Sequence, residues 1–149
     1  MGGATSAAGV RKARMDDIAA MMELRLSVHE NRLAHPDQVT PEDCRRYVER
    51  GTMWVWEEDG QILGISAGNC ETGWIWALFV RPGHEGRGIG RALFAAACDA
   101  LLAAGFRRLT LSTDPDTRAA RFYRAAGWQE TGRTQEGELV FERDATEPR

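Results

Sequence analysis

Apolar residues in the first part of the chain predict a short strand followed by a helix. The strand is predicted over residues 10–14, and either Asp16 or Asp17 can cap the helix after it, because a short acidic side chain accepts bonds from the unpaired N–H groups of a helix start. Four apolar residues at helical spacing form the predicted buried side of this helix: Ile18, Met22, Leu26 and Leu33.

Cap and turn residues predict a second helix and then a hairpin. Thr40-Pro41-Glu42-Asp43 opens the helix, since the threonine supplies a cap oxygen, the proline suits the first turn and the acids favour the positive helix end. Gly51 ends it. Apolar strands at 53–56 and 62–67 flank Asp59-Gly60, a pair that tight hairpins favour because both central residues need a positive φ.

The segment Trp74–Val80 is apolar at every position, as expected of a strand that is buried on both faces. We therefore predict that it lies at the centre of the sheet. A helix over 88–104 follows, and Gly105 is a suitable cap for its C-terminal end. Its buried side is predicted from four residues at helical spacing: Ile89, Leu93, Ala97 and Leu101.

The remaining part of the chain predicts a strand, a helix and a final hairpin. The strand covers 109–111, and the helix covers 115–126 and is closed by Gly127. The hairpin strands are 128–132 and 139–143. The resulting order, βααβββαβαββ, predicts an α/β fold in which helices flank a mixed central sheet.

Length and charge limit the class of protein. The 149 residues suit one domain, which we expect over residues 10–144 between a flexible leader (1–9) and a tail (145–149). The net charge of -3 disfavours binding of nucleic acid through a broad basic field. We expect a cytoplasmic protein without a membrane partner, because no apolar run approaches the roughly 18 residues that a membrane span requires.

Some short patterns resemble catalytic motifs, but their surroundings do not fit. Gly64-Ile65-Ser66-Ala67-Gly68 matches the G-x-S-x-G turn of serine hydrolases, yet a turn and a strand follow where that motif needs a helix. We interpret it as a strand punctuated by glycines. His29-Glu30 and His84-Glu85 each lack the second histidine of a zinc-binding helix, so no metal site is predicted. Three cysteines are interpreted as buried free thiols: Cys44, Cys70 and Cys98.

A glycine-rich loop, Arg81-Pro82-Gly83-His84-Glu85-Gly86-Arg87-Gly88-Ile89-Gly90-Arg91, joins the central strand to the following helix. Its glycines let backbone N–H groups turn inward around an anion, the helix start adds a partial positive charge, and Arg87 and Arg91 add full ones. No Lys-Ser or Lys-Thr pair follows Gly88, which excludes a nucleotide P-loop, and Arg91 replaces the last glycine of a dinucleotide fingerprint. We predict a phosphate cradle, with a glycine-rich turn that binds no ligand as the alternative.

Three segments together carry a family resemblance: Leu78-Phe79-Val80, then Gly86-Arg87-Gly88-Ile89-Gly90-Arg91-Ala92-Leu93, then Ala119-Ala120-Arg121-Phe122-Tyr123-Arg124-Ala125-Ala126-Gly127-Trp128. This combination resembles the GNAT superfamily of acetyl-CoA-dependent N-acetyltransferases. The resemblance extends over nearly the whole chain, because the predicted order of strands and helices is also that of the superfamily.

The resemblance implies roles for individual residues. Backbone groups of Leu78, Phe79 and Val80 would hold the pantetheine arm of CoA. The loop from Gly86 to Arg91 would wrap its pyrophosphate, and Tyr123 would protonate the departing thiolate. The residues that the resemblance places at CoA are Leu78, Phe79, Val80, Gly86, Arg87, Gly88, Ile89, Gly90, Arg91, Asp116 and Phe122.

The chain departs from the family pattern at three places. Glu85 stands where Gln or Arg is usual, and Asp116 stands where Asn is frequent, which puts one side-chain contact to CoA in doubt. Trp76 and Ala77 occupy the strand region where many members carry a glutamate base. The base must therefore be another group or water.

Amine acetylation benefits from a base, because an alkylamine is mostly protonated at neutral pH. We select Glu30, near the end of the first long helix, as the base. The other candidates are His29, Glu71 and Glu138. Four tryptophans alternate along two strands predicted to be neighbours, so we expect them on one face, as core packing or as an aromatic wall that suits a cationic amine: Trp54, Trp56, Trp74 and Trp76.

The function that these observations imply is transfer of an acetyl group from acetyl-CoA directly to a primary amine of a small molecule, without a metal. The catalytic residues would be Tyr123 and Glu30. Acetylation of a protein or peptide and a CoA-binding sensor domain without catalysis are the alternatives. The sequence does not determine the acceptor, whether the acyl group is strictly acetyl, or the oligomeric state, for which a homodimer is one option.

Overall fold

A computed structural model of the chain describes residues 8–28 and 40–144. Within these residues the predicted order of strands and helices is confirmed. The strands are β1 (Gly9–Lys12), β2 (Met53–Glu58), β3 (Gln61–Asn69), β4 (Trp74–Val80), β5 (Arg108–Thr113), β6 (Gln129–Arg133) and β7 (Leu139–Asp144). The helices are α1 (Ile18–Ser27), α2 (Pro41–Arg50), α3 (Ile89–Ala103) and α4 (Arg118–Ala125).

All seven strands belong to one mixed sheet with the order β1-β2-β3-β4-β5-β7-β6. Neighbouring strands are antiparallel except β4 and β5, which are parallel and share a single paired position, Trp74↔Thr110. Beyond that pair the two strands diverge, because β4 continues along β3 whereas β5 continues along β7. The divergence opens a cleft in the middle of the sheet.

The helices lie on opposite faces of this sheet. On one face α1 and α2 cover a core that includes Met21, Leu24 and Ile65. On the other face α3 and α4 cover a core around Leu101 and Leu111. All four residues predicted for the buried side of α3 are at most 1% exposed: Ile89, Leu93, Ala97 and Leu101. The periodicity of α3 therefore predicted its packing correctly.

The pattern that resembles a serine hydrolase is a packing surface for α3. Ser66 is fully buried, and its hydroxyl donates to the Leu93 carbonyl oxygen at 2.9 Å. A Cβ added to Gly64 would lie 2.6 Å from Leu93 Cδ1, and one added to Gly68 would lie 3.3 Å from the Ala97 carbonyl oxygen. The glycines let α3 approach β3 closely. The interpretation of this segment as a glycine-punctuated strand is therefore confirmed.

The second helix and the first hairpin have the cap and turn residues that the sequence predicts. Thr40 Oγ1 accepts a bond from the Asp43 N–H at 3.1 Å, and Gly51 ends α2 with a φ of +72°. Asp59 and Gly60 both have positive φ, at 54° and 77°. These features depend on neighbouring residues only, which is why the sequence predicted them.

The predicted apolar side of α1 is confirmed only in part. Ile18 and Met22 are partly buried and pack against the core, as predicted. Leu26, by contrast, is 58% exposed, whereas Met21 and Leu24, which were not predicted, are fully buried. The helix begins at Ile18 after a 3₁₀ turn, and the side of it that faces the sheet contains Met21 and Leu24. Asp17 occupies the N-cap position of α1, but its side chain makes no cap bond there. Its carboxylate accepts from the Arg14 N–H at 2.7 Å and pairs with Arg11 at 2.8 Å. Leu33 lies outside the described residues.

Several element boundaries differ from the prediction by one to three residues. The first strand ends at Lys12 rather than at residue 14. Helix α4 starts at Arg118 rather than at 115, because Thr117 Oγ1 accepts from the Ala120 N–H at 3.1 Å and forms the cap. The preceding Asp116 has a φ of +62°, which does not fit a right-handed helix.

The prediction that four tryptophans share a face is wrong. Trp54 and Trp56 pack on the α3 face, whereas Trp76 packs on the opposite face and stacks on Tyr47 with centroids 4.2 Å apart. The strands β2 and β4 are separated by β3. In addition, Ala67 pairs with Ala77 but Gly68 pairs with Ile75, so β4 contains a bulge at Trp76 that shifts its alternation.

The strand β4 is central, as predicted, but it is not buried along both faces. Its last three residues are only half-buried because they line the cleft. The cysteines also differ in part from the prediction, since all three are free but only Cys44 and Cys98 are buried. None of the helices in the described ranges is long and apolar enough to cross a membrane.

Candidate active site

Two cavities open from the cleft between β4 and β5. The loop-side cavity, about 620 Å³, lies between the glycine-rich loop and α4 and is lined by Val28, Leu78, Phe79, Val80, Pro82, Glu85, Gly86, Gly88, Gly90, Arg91, Arg118, Ala119, Phe122 and Tyr123. The turn-side cavity, about 590 Å³, lies between β4, β5 and the turn from β6 to β7. The two cavities share four wall residues: Leu78, Phe79, Ala119 and Tyr123.

The end of β4 offers backbone groups to the cleft. The Arg81 N–H donates to the Leu63 carbonyl oxygen at 2.8 Å, and Phe79 pairs with Ile65 two residues earlier. Since partners alternate along an antiparallel ladder, Phe79 directs its backbone groups at β3. Leu78 and Val80 direct theirs at the opposite edge, where the cleft lies. An extended polar chain can bond to that edge.

The glycine-rich loop has the geometry of an anion site. Gly83, Gly86 and Gly88 have φ values of +92°, +80° and +89°. Gly88 is the residue before α3, and no side chain caps the helix there. The first N–H groups of α3 therefore have no carbonyl partner inside the helix, and they carry the positive end of its dipole. Gly88 and Gly90 both line the loop-side cavity.

The two arginines of this loop have different surroundings. Arg91 lines the loop-side cavity. Arg87 does not line it, because its guanidinium donates to both carboxylate oxygens of Glu58 at 2.8 and 3.0 Å and contacts His84 Nδ1 at 2.9 Å. Ile89, also predicted at CoA, is the first residue of α3, is 1% exposed and packs in the core with Leu63 and Leu93. The predicted cradle therefore has one of its two cations at the cavity wall.

A different arginine, Arg118, lines the loop-side cavity from the first turn of α4. It pairs with Glu85 across the cavity mouth, with 3.6 Å between the charged atoms. Glu85 in turn accepts a bond from the Gly83 N–H at 3.0 Å. Sequence reasoning did not select Arg118, since only the approach of α4 to the loop brings it to this cavity.

Tyr123 lies at the junction of the two cavities. It is 5% exposed and packs among aromatic rings of Phe94, Trp128 and Phe141, with centroids 5.5 to 6.0 Å apart. Burial, reinforced by the Cys98 thiol, raises the pKa of Tyr123 above its usual value. The phenol therefore stays protonated at neutral pH and can donate a proton or a hydrogen bond.

Phe122, which the sequence analysis placed at CoA, also lies in α4 and lines the loop-side cavity beside Tyr123. Its ring meets the edge of Phe94 at a centroid distance of 6.0 Å. Asp116 lies in the exposed loop before α4 and lines neither cavity.

The candidate bases have different positions. Glu30, which the sequence analysis selected, and His29 lie outside the described residues. Glu71 is exposed at the turn between β3 and β4 and pairs with Arg50 at 3.3 Å. Glu138 is 9% exposed, lines the turn-side cavity and accepts a bond from the Ser112 hydroxyl at 2.8 Å. Among the described candidates, Glu138 alone lines a cavity that contains Tyr123.

A sequence model of the acetyltransferase (GNAT) family matches residues 18–128, a range that contains the loop, the end of β4 and Tyr123. The chain belongs to this family. The resemblance noted in the sequence is thereby confirmed.

Two relatives are similar to part of this GNAT chain. The mycothiol acetyltransferase of Beutenbergia cavernae is 36% identical over 102 residues, which are 59% of this chain and 34% of that protein. The peptidyl-lysine N-acetyltransferase of Escherichia coli is 34% identical over 91 residues, which are 56% of this chain and 60% of that protein. The match therefore spans less than two thirds of either relative.

Solved structures show the same GNAT fold over almost the whole chain. An N-acetyltransferase from Staphylococcus aureus superposes with a TM-score of 0.76 at 19% identity, covering 94% of this chain and 99% of that one. A putative acetyltransferase from Salmonella typhimurium, solved with its cofactor acetyl-CoA, superposes with a TM-score of 0.75 at 19% identity, covering 97% of both chains. These similarities establish the architecture.

Proposed function

We propose that the chain is an N-acetyltransferase that moves an acetyl group from acetyl-CoA directly to a primary amine of a small molecule. The observation that carries the proposal is the meeting of two cavities at Tyr123 in the cleft between β4 and β5. One cavity has the features of a phosphate site and the other has the size of a small-molecule site. A donor and an acceptor bound in them would meet beside the phenol.

The loop-side cavity fits the donor. The pyrophosphate of CoA would accept bonds from the first N–H groups of α3 and interact with Arg91. Positions for a Cβ on Gly86 and Gly88 have no protein atom within 4 Å, so the space in front of the loop is open to a ligand. The pantetheine arm would bond to the free backbone edge of Leu78 and Val80, as its amides resemble a neighbouring strand.

Tyr123 would act as the acid. Transfer from sulfur to nitrogen forms a C–N bond and breaks the C–S bond, so the leaving thiolate needs a proton. Burial raises the pKa of Tyr123, so the phenol is protonated at neutral pH, and its position at both cavities would bring it to the reacting atoms. Since a thiolate is a tolerable leaving group, we expect its contribution at the lower end of general-acid effects.

The turn-side cavity supports a small acceptor. Its volume of about 590 Å³ falls in the usual range of small-molecule sites. Trp74 and Trp76 line it and provide aromatic surface that suits an organic cation. One relative is named a mycothiol acetyltransferase and the other a peptidyl-lysine N-acetyltransferase, so their names do not agree on an acceptor class. The choice of a small acceptor is therefore supported by the cavity.

Release of free CoA thiol, measured with acetyl-CoA and a panel of small amines and lysine peptides, tests the proposal. We expect turnover with at least one small amine and weaker turnover with every peptide. Preferred turnover of a peptide would contradict the small-molecule acceptor. CoA binding, measured by calorimetry, without thiol release for any acceptor would identify a sensor domain and overturn the enzymatic function.

A further inference from the structure

The first half of β4 forms an aromatic wall of the turn-side cavity. Trp74 and Trp76 both line this cavity. Ile75, which lies between them, packs in the core under α3 and α4, whereas Trp76 packs against the core under α1 and α2. By strand alternation Trp74 shares the face of Trp76. Both tryptophans are only partly buried, so part of each side chain is accessible from the cavity.

The indole of Trp76 is held in place by a second ring. Tyr47 stacks on it with centroids 4.2 Å apart and an interplanar angle of 17°. Tyr47 lies in α2, is 7% exposed, and its phenol forms a hydrogen bond with the Asn69 side chain. Asn69 Oδ1 also accepts a bond from the Glu71 N–H at 2.9 Å, which ties it to the turn before β4. The orientation of the Trp76 ring is therefore fixed before any acceptor binds.

The aromatic wall lies a short distance from the point where the two cavities meet. Leu78 is the first residue of β4 that lines both cavities, as Tyr123 does from α4. Since a strand rises about 3.3 Å per residue, Trp76 lies roughly 7 Å along β4 from Leu78. An amine that is two or three carbon atoms from a ring lies roughly 5–6 Å from the ring centre, at about 1.5 Å per bond. A ring bound at Trp76 thus lets such an amine reach the junction.

The rest of the cavity orients an acceptor of this kind. Among the described lining residues, those from β5 and the β6–β7 turn are polar except for Leu111. Aromatic pairs gain free energy beyond that of area burial, which a saturated ring of the same size does not gain. The ring of an acceptor is therefore favoured on the β4 side, where the two tryptophans lie.

We propose that the acceptor is a primary amine joined to an aromatic ring by two or three carbon atoms, and that Trp74 and Trp76 bind the ring. Tyr47 is a positioning residue, because it stacks on Trp76 and does not line the cavity. This inference rests on the acetyltransferase function proposed above, and it narrows the small-amine acceptor to one chemical class.

Thiol release with phenethylamine and with cyclohexylethylamine, which differ only in the ring, tests the inference. The ratio of the two kcat/KM values is compared between variants, so that the different pKa values of the amines cancel. For Trp76→Leu we expect this ratio to fall roughly two- to twelvefold, which corresponds to the loss of one aromatic pair. Trp54→Leu is the matched control and should keep the parental ratio, because Trp54 packs on the other face of the sheet and lines neither cavity of the cleft.

Further variants separate contact with the ring from loss of stability. Trp74→Leu should also lower the ratio, and it leaves the stacked pair of Tyr47 and Trp76 intact. Tyr47→Leu should lower the ratio by less than Trp76→Leu and act mainly through KM, whereas Tyr47→Phe keeps the ring and should keep the parental ratio. CoA affinity and thermal unfolding show whether each variant is folded. Equal losses in Tyr47→Leu and Tyr47→Phe would contradict the positioning role.

Ratios for Trp74→Leu and Trp76→Leu equal to that of the Trp54→Leu control would overturn the inference. Parental turnover that favours cyclohexylethylamine, with each kcat/KM calculated for the neutral amine, would overturn it as well. If the parent protein acetylates aliphatic amines without preferring the aromatic one, the inference fails and the acetyltransferase function stands. If the parent releases no thiol with any acceptor, the acetyltransferase function fails and the inference fails with it.

Discussion

Replacing Gly64 by alanine should destabilise the fold at the support of the glycine-rich loop. Gly64 lies in β3 under the first turns of α3, and an added Cβ would lie 2.6 Å from Leu93 Cδ1. It would also lie 3.1 Å from Ile89 Cγ2 and 3.1 Å from the Phe79 carbonyl oxygen. Leu93 is fully buried and Phe79 contributes a backbone atom, so α3 must shift.

The magnitude follows from two opposing effects. Overpacking a well-packed core typically costs about 1–3 kcal/mol. Alanine lowers the entropy of the unfolded chain, which returns about 0.4–1 kcal/mol, and Gly64 does not have a positive φ that would add strain. The expected net loss is about 1–2 kcal/mol, or roughly 2–8 °C in Tm for a domain of this size.

Thermal unfolding followed by circular dichroism measures this loss, with Gly132→Ala as the control. Gly132 also lies in a strand, but an added Cβ there meets no atom within 4 Å. The Tm of the Gly132→Ala variant should equal that of the parent protein or exceed it slightly. In a double-mutant cycle, Leu93→Val removes the closest atom and should cost less when Gly64 is already alanine. Equal Tm values for Gly64→Ala and Gly132→Ala, or no coupling to Leu93→Val, would refute the packing argument.

Three further predictions concern the proposed site. Gly88→Val should abolish CoA binding, measured by calorimetry, while the protein stays folded. The control Gly83→Val is equally strained, since Gly83 has a φ of +92°, but it lies outside the cavity lining and should still bind CoA. Equal losses of affinity in the two variants would contradict the assignment of the cradle. Tyr123→Phe should keep CoA affinity and lower turnover by about 10²-fold, and an active variant would indicate a packing role only. Because burial raises the phenol pKa, parental turnover should not fall up to about pH 10, and an earlier fall would contradict the raised pKa. Glu85→Gln removes a negative charge from the cavity wall and should tighten CoA binding roughly two- to fivefold, measured by calorimetry at low salt. An unchanged affinity would show that Glu85 lies away from the phosphates.

Sequence reasoning predicted best where a structure depends on neighbouring residues. The cap at Thr40 and the Asp59-Gly60 turn follow from the conformations that those residues favour. The face of α3 followed from a strong periodicity, whereas α1 carries apolar residues on several sides and its face was predicted only in part. Contact with the sheet, rather than the pattern of α1 itself, decided that Met21 and Leu24 are buried.

The sequence by itself determined the fold class and the candidate phosphate loop of this GNAT family member. That loop is contiguous, so glycine conformations and a helix start suffice to build it at 83–91. Only the tertiary structure decided which charges face the cavity: Arg87 is turned to Glu58, and Arg118 takes a place at the wall. The turn-side cavity likewise combines α1, β4, β5, α4 and the β6–β7 turn, and brings Glu138 to Ser112 across 26 positions of the chain. The physical reason is that strand order and the divergence of β4 from β5 arise from long-range packing, which no local pattern encodes.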